Sequence, residues 1–171
     1  MTTTETTHSF TGVFPIAPTP FNEDEFLDLP GQKRVLDCMV DQGVDGICIL
    51  ANYSEQFLLT DEERNTLLEL CLNHVAGRVP VIVTCSHFST RVALDRALQA
   101  EAAGARMLML MPPYHGAALR ADEHGTFEHF SKIAQNVSIP IMVQDAPLSG
   151  VTLSVSLLAR MAKELSQVNY F

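Results

Sequence analysis

Short, continuous apolar runs separated by amphipathic segments recur along this chain, and that rhythm restricts the fold more than any single motif. The runs cover 12–21 ("GVFPIAPTPF"), 46–52 ("GICILAN"), 80–86 ("PVIVTCS"), 106–113 ("RMLMLMPP"), 140–146 ("PIMVQDA") and 168–171 ("VNYF"). Runs that are apolar throughout, rather than at every second position, suit parallel strands covered on both faces. Between them the spacing predicts helices over 31–44, 60–77, 89–104, 121–137 and 154–165. Thr60 with Glu63 three positions on has the form of a capping box, and Gly77 and Gly104 stand where helices stop. The chain therefore reads as five βα units and the start of a sixth strand. The helix-to-strand joints also recur: "AGRVPVIV" and "NVSIPIMV", like "QGVDGICIL" and "AGARMLML", are similar pairs about 60 residues apart.

Two architectures accommodate such a pattern: a doubly wound open sheet and a (β/α)8 barrel. A barrel takes about 250 residues, so 171 residues would supply its first five units and part of a sixth. The expected organisation is a disordered lead-in over 1–10 and the N-terminal part of a single barrel domain over 11–171. The nucleotide-binding version of the open sheet loses its main support, because neither G-x-G-x-x-G nor G-x-x-x-x-G-K-[ST] occurs.

Composition excludes several function classes. The net charge is −9 and the 11 Lys and Arg form no basic patch, which argues against nucleic acid and against an anionic membrane as partners. No apolar run nears the roughly 18 residues of a membrane span. "MTTTETTHS" has neither the basic nor the apolar region of a secretory leader. Cys38, Cys48, Cys71 and Cys85 form no C-x-x-C pair and read as buried thiols of a reducing, cytoplasmic setting.

In parallel α/β folds chemistry sits at the carboxyl ends of the strands. Those ends carry Thr19, then Asn52, Tyr53, Ser54 and Glu55, then Ser86 and His87, then Tyr114 and His115, then Gln144 and Asp145. Each has a bland reading as well, Asn52 as a turn former, His87 as a loop histidine, the tyrosines as amphipathic cover. Their convergence on one rim favours a site. No metal is expected, since His124 and His129 are five apart and so off one helix face. No G-x-S-x-G elbow is present, and Lys33, Lys132 and Lys163 all fall on helices away from the rim.

Taken together and in order, "GVFPIAPTPF", "QGVDGICIL", "LTDEER", "AGRVPVIV", "AEAAGARMLMLMPPY" and "IPIMVQDAP" resemble the dihydrodipicolinate synthase / N-acetylneuraminate lyase family over residues 11–171. The resemblance implies a (β/α)8 barrel, a homotetramer, no cofactor, and class I aldolase-type chemistry on a 2-oxo acid. In that chemistry a sixth-strand lysine forms a Schiff base, and the position implied for it is directly after Phe171. A lysine held in an apolar site is neutral and nucleophilic. The family's G-T-T-G-E stretch corresponds to "ANYSE", which implies the backbone N–H groups of Asn52 and Tyr53 and the Ser54 hydroxyl as binders of the substrate carboxylate. Tyr114 matches the tyrosine that relatives insert into a neighbouring subunit's site.

Two departures redirect the expected reaction. Gln144 stands where the family has a proton-relaying tyrosine, and a carboxamide can orient but not titrate near neutrality. "PLSG" lacks the arginine that synthases carry in the next turn. The founding synthase reaction is therefore not expected, and sialic acid cleavage loses its proton handler. "ANYSEQF" with "QDAP" is most similar to the family's sugar-acid dehydratases. The implied reaction is dehydration of a 2-keto-3-deoxy sugar acid, L-2-keto-3-deoxyarabonate, to 2-oxoglutarate semialdehyde, a step of L-arabinose degradation. Tyr114, His87 or an ordered water would supply the acid. The alternatives are a pyrroline-4-hydroxy-2-carboxylate deaminase of the same family and a catalytically silent sugar-acid-binding member. Asp145 is expected to be structural, anchoring the turn before Pro147.

Overall fold

The computed structural model describes residues 10–115, 119–146 and 149–171, and for 114, 115, 119 and 120 the backbone only. Five parallel strands, β1 (Ile47–Ile49), β2 (Val81–Thr84), β3 (Met107–Leu110), β6 (Ile141–Val143) and β7 (Val168–Tyr170), pair in the order β1-β2-β3-β6-β7. The order never reverses along the main sheet. A doubly wound sheet has a point of reversal and a barrel has none, so the topology decides for the barrel. The chain forms a partial (β/α) barrel.

Helices α1 (Leu29–Asp41), α2 (Asp61–Val75), α3 (Thr90–Ala102), α4 (Glu123–Ala134) and α5 (Val155–Glu164) alternate with the strands. One face of each strand packs on them: Ile47, Ile49, Val81, Val83, Leu108, Leu110, Ile141 and Val143 share a core with Leu36, Leu67, Ala97, Phe130 and Met161. The other face forms a second cluster, Cys48, Ala51, Ile82, Met107 and Met109, against Phe10, Phe14, Ile16, Met142 and Tyr170. This second cluster is the barrel interior. Two buried faces explain why the strands are apolar at every position.

The run at 12–21 is not a regular strand. Ile16 makes an isolated parallel bridge to Cys48, held by Cys48 N–H to Pro15 O at 2.9 Å and Ala17 N–H to Cys48 O at 2.8 Å. Pro15, Pro18 and Pro20 supply no N–H, so a continuous ladder cannot form. The segment still occupies the first strand's place beside β1. Phe10, the last residue of the expected lead-in, is ordered: its N–H donates to the Tyr170 hydroxyl at 3.2 Å, and the two rings meet edge to face. Residues 1–9 of that lead-in lie outside the described residues. Cys48, Cys71 and Cys85 are buried, but Cys38 is exposed, because α1 turns Leu36 and not Cys38 toward the core.

The capping box of α2 is present. Glu63 N–H donates to Thr60 Oγ1 at 3.2 Å, and Thr60 N–H donates to Glu63 Oε2 at 2.9 Å. Thr60→Ala should cost about 1 kcal/mol, read as a lower urea midpoint at unchanged slope. Gly125 weakens α4 less than its type suggests, because its N–H is the one that Asp122 caps, at 2.7 Å. An antiparallel hairpin, β4 (Tyr114–His115) with β5 (Leu119–Arg120), follows β3 and interrupts the expected loop.

Candidate active site

At the carboxyl end of β1 the chain leaves the sheet abruptly. Leu50 sits at φ +56°, a conformation costly for a bulky L-residue, and Glu55 at the far end of the loop also has φ +56°. Between them Asn52–Ser54 form a single 3-10 turn. Ser54 and Glu55 N–H groups bond back to Ala51 O and Asn52 O, both at 3.0 Å. The Asn52 and Tyr53 N–H groups, first in the turn, have no acceptor among the described residues. Two such donors at the start of a helical turn suit an anion.

Side chains in this loop divide by what they touch. The Ser54 hydroxyl is buried and donates to Ala17 O at 2.6 Å, while Thr19 Oγ1 donates to Ser54 O at 2.7 Å. The single Ser54 proton thus ties the loop to the first barrel segment, and its expected direct contact with a substrate carboxylate is not available in this arrangement. The Tyr53 ring is 78% exposed, so only its backbone faces the turn. Asn52 Nδ2 donates to Met111 Sδ at 3.5 Å, and Asn52 Oδ1 accepts from Gln56 Nε2 at 2.9 Å.

The other strand ends supply a second group. Ser86 continues the interior parity of Ile82 and Thr84, and its Oγ accepts from Met111 N–H at 2.9 Å. Gln144 continues the interior parity of Met142, and its own N–H extends the ladder to Leu110 O at 2.8 Å. Its Oε1 is buried with no partner among the described residues. Asn52 thus reaches the end of β3 from the β1 side, through Met111, and Gln144 adjoins it from the β6 side. Asp145 is exposed, and Pro147, whose turn it was expected to anchor, lies outside the described residues.

His87 is half-buried in the loop after β2. Its Nδ1 accepts the Ser89 N–H at 2.9 Å, which leaves the proton of the neutral ring on Nε2, and the ring stacks on Phe88. Burial, reinforced by the nearby Arg96 guanidinium, pushes its pKa below the usual histidine value, so at neutral pH it is an uncharged donor. Two arginines hold this strand end. Arg64 donates to Thr84 O at 2.7 Å; Arg96 donates to Ser86 O at 3.0 Å and pairs with Asp61 at 2.8 Å. Desolvation lowers the pKa of the buried Arg64 to about 10, still charged at neutrality. The Tyr114 backbone opens β4 opposite Arg120, and its side chain lies outside the described residues. Among the described residues no group of three or more His, Cys, Asp or Glu is placed to hold a metal, and no helix is long and apolar enough to cross a membrane.

Gln56 and Met111, the two partners of the Asn52 side chain, were not foreseen. The available signal was the four-residue step from Asn52 to Gln56, which one helical turn brings together.

Sequential parallel strands around an apolar interior, with polar groups gathered at their carboxyl ends, define a β/α-barrel with its candidate site at the rim. The sequence model of the dihydrodipicolinate synthetase family matches residues 9–169, and the chain belongs to that family. It is 54% identical over 99% of its length to the L-2-keto-3-deoxyarabonate dehydratase of Azospirillum brasilense, of which it covers 55%. The crystal structure of YagE from Escherichia coli K12 in complex with pyruvate superposes with a TM-score of 0.88 at 30% identity, covering 93% of this chain and 53% of that one. A monomeric dihydrodipicolinate synthase variant matches with a TM-score of 0.86 at 29% identity, covering 93% and 52%. The chain thus spans about half the length of the relatives it matches.

Proposed function

We propose that residues 11–171 are the N-terminal part of a Schiff-base-forming lyase that dehydrates L-2-keto-3-deoxyarabonate to 2-oxoglutarate semialdehyde. The observation that carries this reading is the Gln144 carboxamide at the end of β6, with its Oε1 buried and without a partner among the described residues. A non-titrating acceptor in that place suits holding a hydroxyl rather than relaying protons. The 54% identity to a dehydratase of this substrate supports the same choice.

In the proposed reaction a lysine directly after Phe171 attacks C2 of the 2-oxo acid and expels its oxygen as water. The Asn52 and Tyr53 N–H groups hold the C1 carboxylate. The iminium acidifies C3, a C3 proton is removed, and the C4 hydroxyl leaves with a proton from Tyr114, from His87 Nε2–H or from a water. Isomerisation and hydrolysis of the imine then free the amine and release the semialdehyde. The reading includes a cytoplasmic homotetramer in which Tyr114 reaches a neighbouring subunit's site.

The test is an assay of semialdehyde formation together with borohydride trapping of pyruvate. Semialdehyde is expected from L-2-keto-3-deoxyarabonate, with a covalent pyruvate adduct on the lysine. Product from pyrroline-4-hydroxy-2-carboxylate alone would make the protein a deaminase. Absence of both turnover and adduct would leave a silent binder.

A further inference from the structure

Gln56 has no assigned role in the reaction, yet it is buried, 5% exposed, and spends its Nε2 on Asn52 Oδ1 at 2.9 Å. That bond decides which way the Asn52 carboxamide faces. With Oδ1 turned to Gln56, the NH2 group is turned to the end of β3, where its only partner among the described residues is the Met111 thioether at 3.5 Å. Sulfur of this kind is a weak acceptor, so the donor is held in place yet readily exchanged for an oxygen. On the other side of β3 stands Gln144 Oε1, an acceptor with no donor among the described residues. A hydroxyl group both accepts and donates, and a donor and an acceptor flanking one strand end match it.

We propose that Gln56 is a positioning residue for hydroxyl recognition: it fixes Asn52 as a donor, so that Asn52 Nδ2 and Gln144 Oε1 together read one hydroxyl of a polyhydroxy 2-oxo acid. The inference rests on the dehydratase reading for its substrate, but not for the orientation of Asn52. Reversing the polarity of Gln56 reverses Asn52. In Gln56→Glu above the carboxyl pKa, the side chain can only accept, so Asn52 turns its NH2 inward and its Oδ1 toward β3. Two acceptors then face the hydroxyl. Below that pKa the protonated acid donates to Oδ1 and restores the original arrangement.

The experiment compares the full-length protein with Gln56→Glu and Gln56→Met, using L-2-keto-3-deoxyarabonate turnover, pyruvate affinity and the side-chain amide resonances of Asn52. For Gln56→Glu, kcat/KM should fall about tenfold at pH 8 and recover toward pH 5, with pyruvate affinity, which involves no hydroxyl, unchanged. The Asn52 amide signals should follow the same titration. Gln56→Met should show a smaller loss for the hydroxylated substrate alone and no such pH dependence, which keeps the idea testable if the glutamate variant does not fold. Asn52 signals blind to the titration, or equal losses for both 2-oxo acids, would overturn the proposal. If the unaltered protein does not turn over the sugar acid, the dehydratase reading fails, and the Asn52 resonances still decide the role of Gln56.

Discussion

Between pH 6.5 and about 4 the fold should lose on the order of 3 kcal/mol through one side chain, His129. His129 is 2% exposed on α4; its Nδ1 meets Thr90 Oγ1 at 3.0 Å, and its Nε2 has no partner among the described residues. Burial first, and then the proximity of His87, pushes its pKa down to about 4. The unfolded chain binds this proton near pH 6.5 and the folded chain only near pH 4. Stability is therefore complete above pH 6.5, falls through the window, and stops responding to this group below pH 4. His87, also shifted down, adds in the same direction. Asp37 and Asp61 act later, because their arginine partners hold them below the ordinary value of 3.8. His129→Phe should flatten the profile between pH 6.5 and 4 while leaving the drop below pH 4. Urea midpoints at half-unit pH steps would read this, and an unchanged slope in the variant would remove His129 as the cause.

His129 also shows what sequence spacing can and cannot reveal. Five positions from His124, it was excluded as half of a metal pair, but nothing local indicated that it would be the buried partner of Thr90 across α3 and α4. The strands were legible because two buried faces force apolar residues at successive positions, as in Val81–Thr84 and Met107–Leu110. The 12–21 run has the same composition, yet its prolines leave only the bridge at Ile16. Barrel and open sheet could not be separated by periodicity, since strand order is a property of which neighbours pair and not of any strand's residues. The resemblance separated them, and the order β1-β2-β3-β6-β7 does so independently.

The rim divides in the same way. That polar residues collect at strand ends follows from chain order alone, so Asn52, Ser54, His87 and Gln144 were legible as candidates. Their division of labour was not. Ser54 is taken by Ala17 O, a contact 37 residues back, and Asn52 is oriented by Gln56, whose importance exists only because a 3-10 turn brings it round. Hydrogen-bond commitments of this sort depend on loop geometry, which residue type leaves open.

Replacing Gln144 should move stability and activity in opposite directions. Gln144 Oε1 is buried without a donor among the described residues, and an acceptor so placed costs about 1–3 kcal/mol, so Gln144→Leu, close in volume and free of polar atoms, should raise the unfolding midpoint. The same change removes the acceptor proposed to hold the substrate hydroxyl, and kcat/KM for dehydration should fall about 10- to 100-fold. A residue that serves packing alone would not couple the two changes with opposite sign, whereas one kept for its substrate contact does. Gln144→Tyr separates orientation from proton relay. A phenol restores the kind of group that relatives use there but removes the amide carbonyl, so dehydration should fall with this variant too. Dehydration unchanged in Gln144→Tyr would deprive the carboxamide of its orienting role. A gain would mean that the site still relays protons, and that Gln144 is a substitution tolerated by the reaction rather than one suited to it.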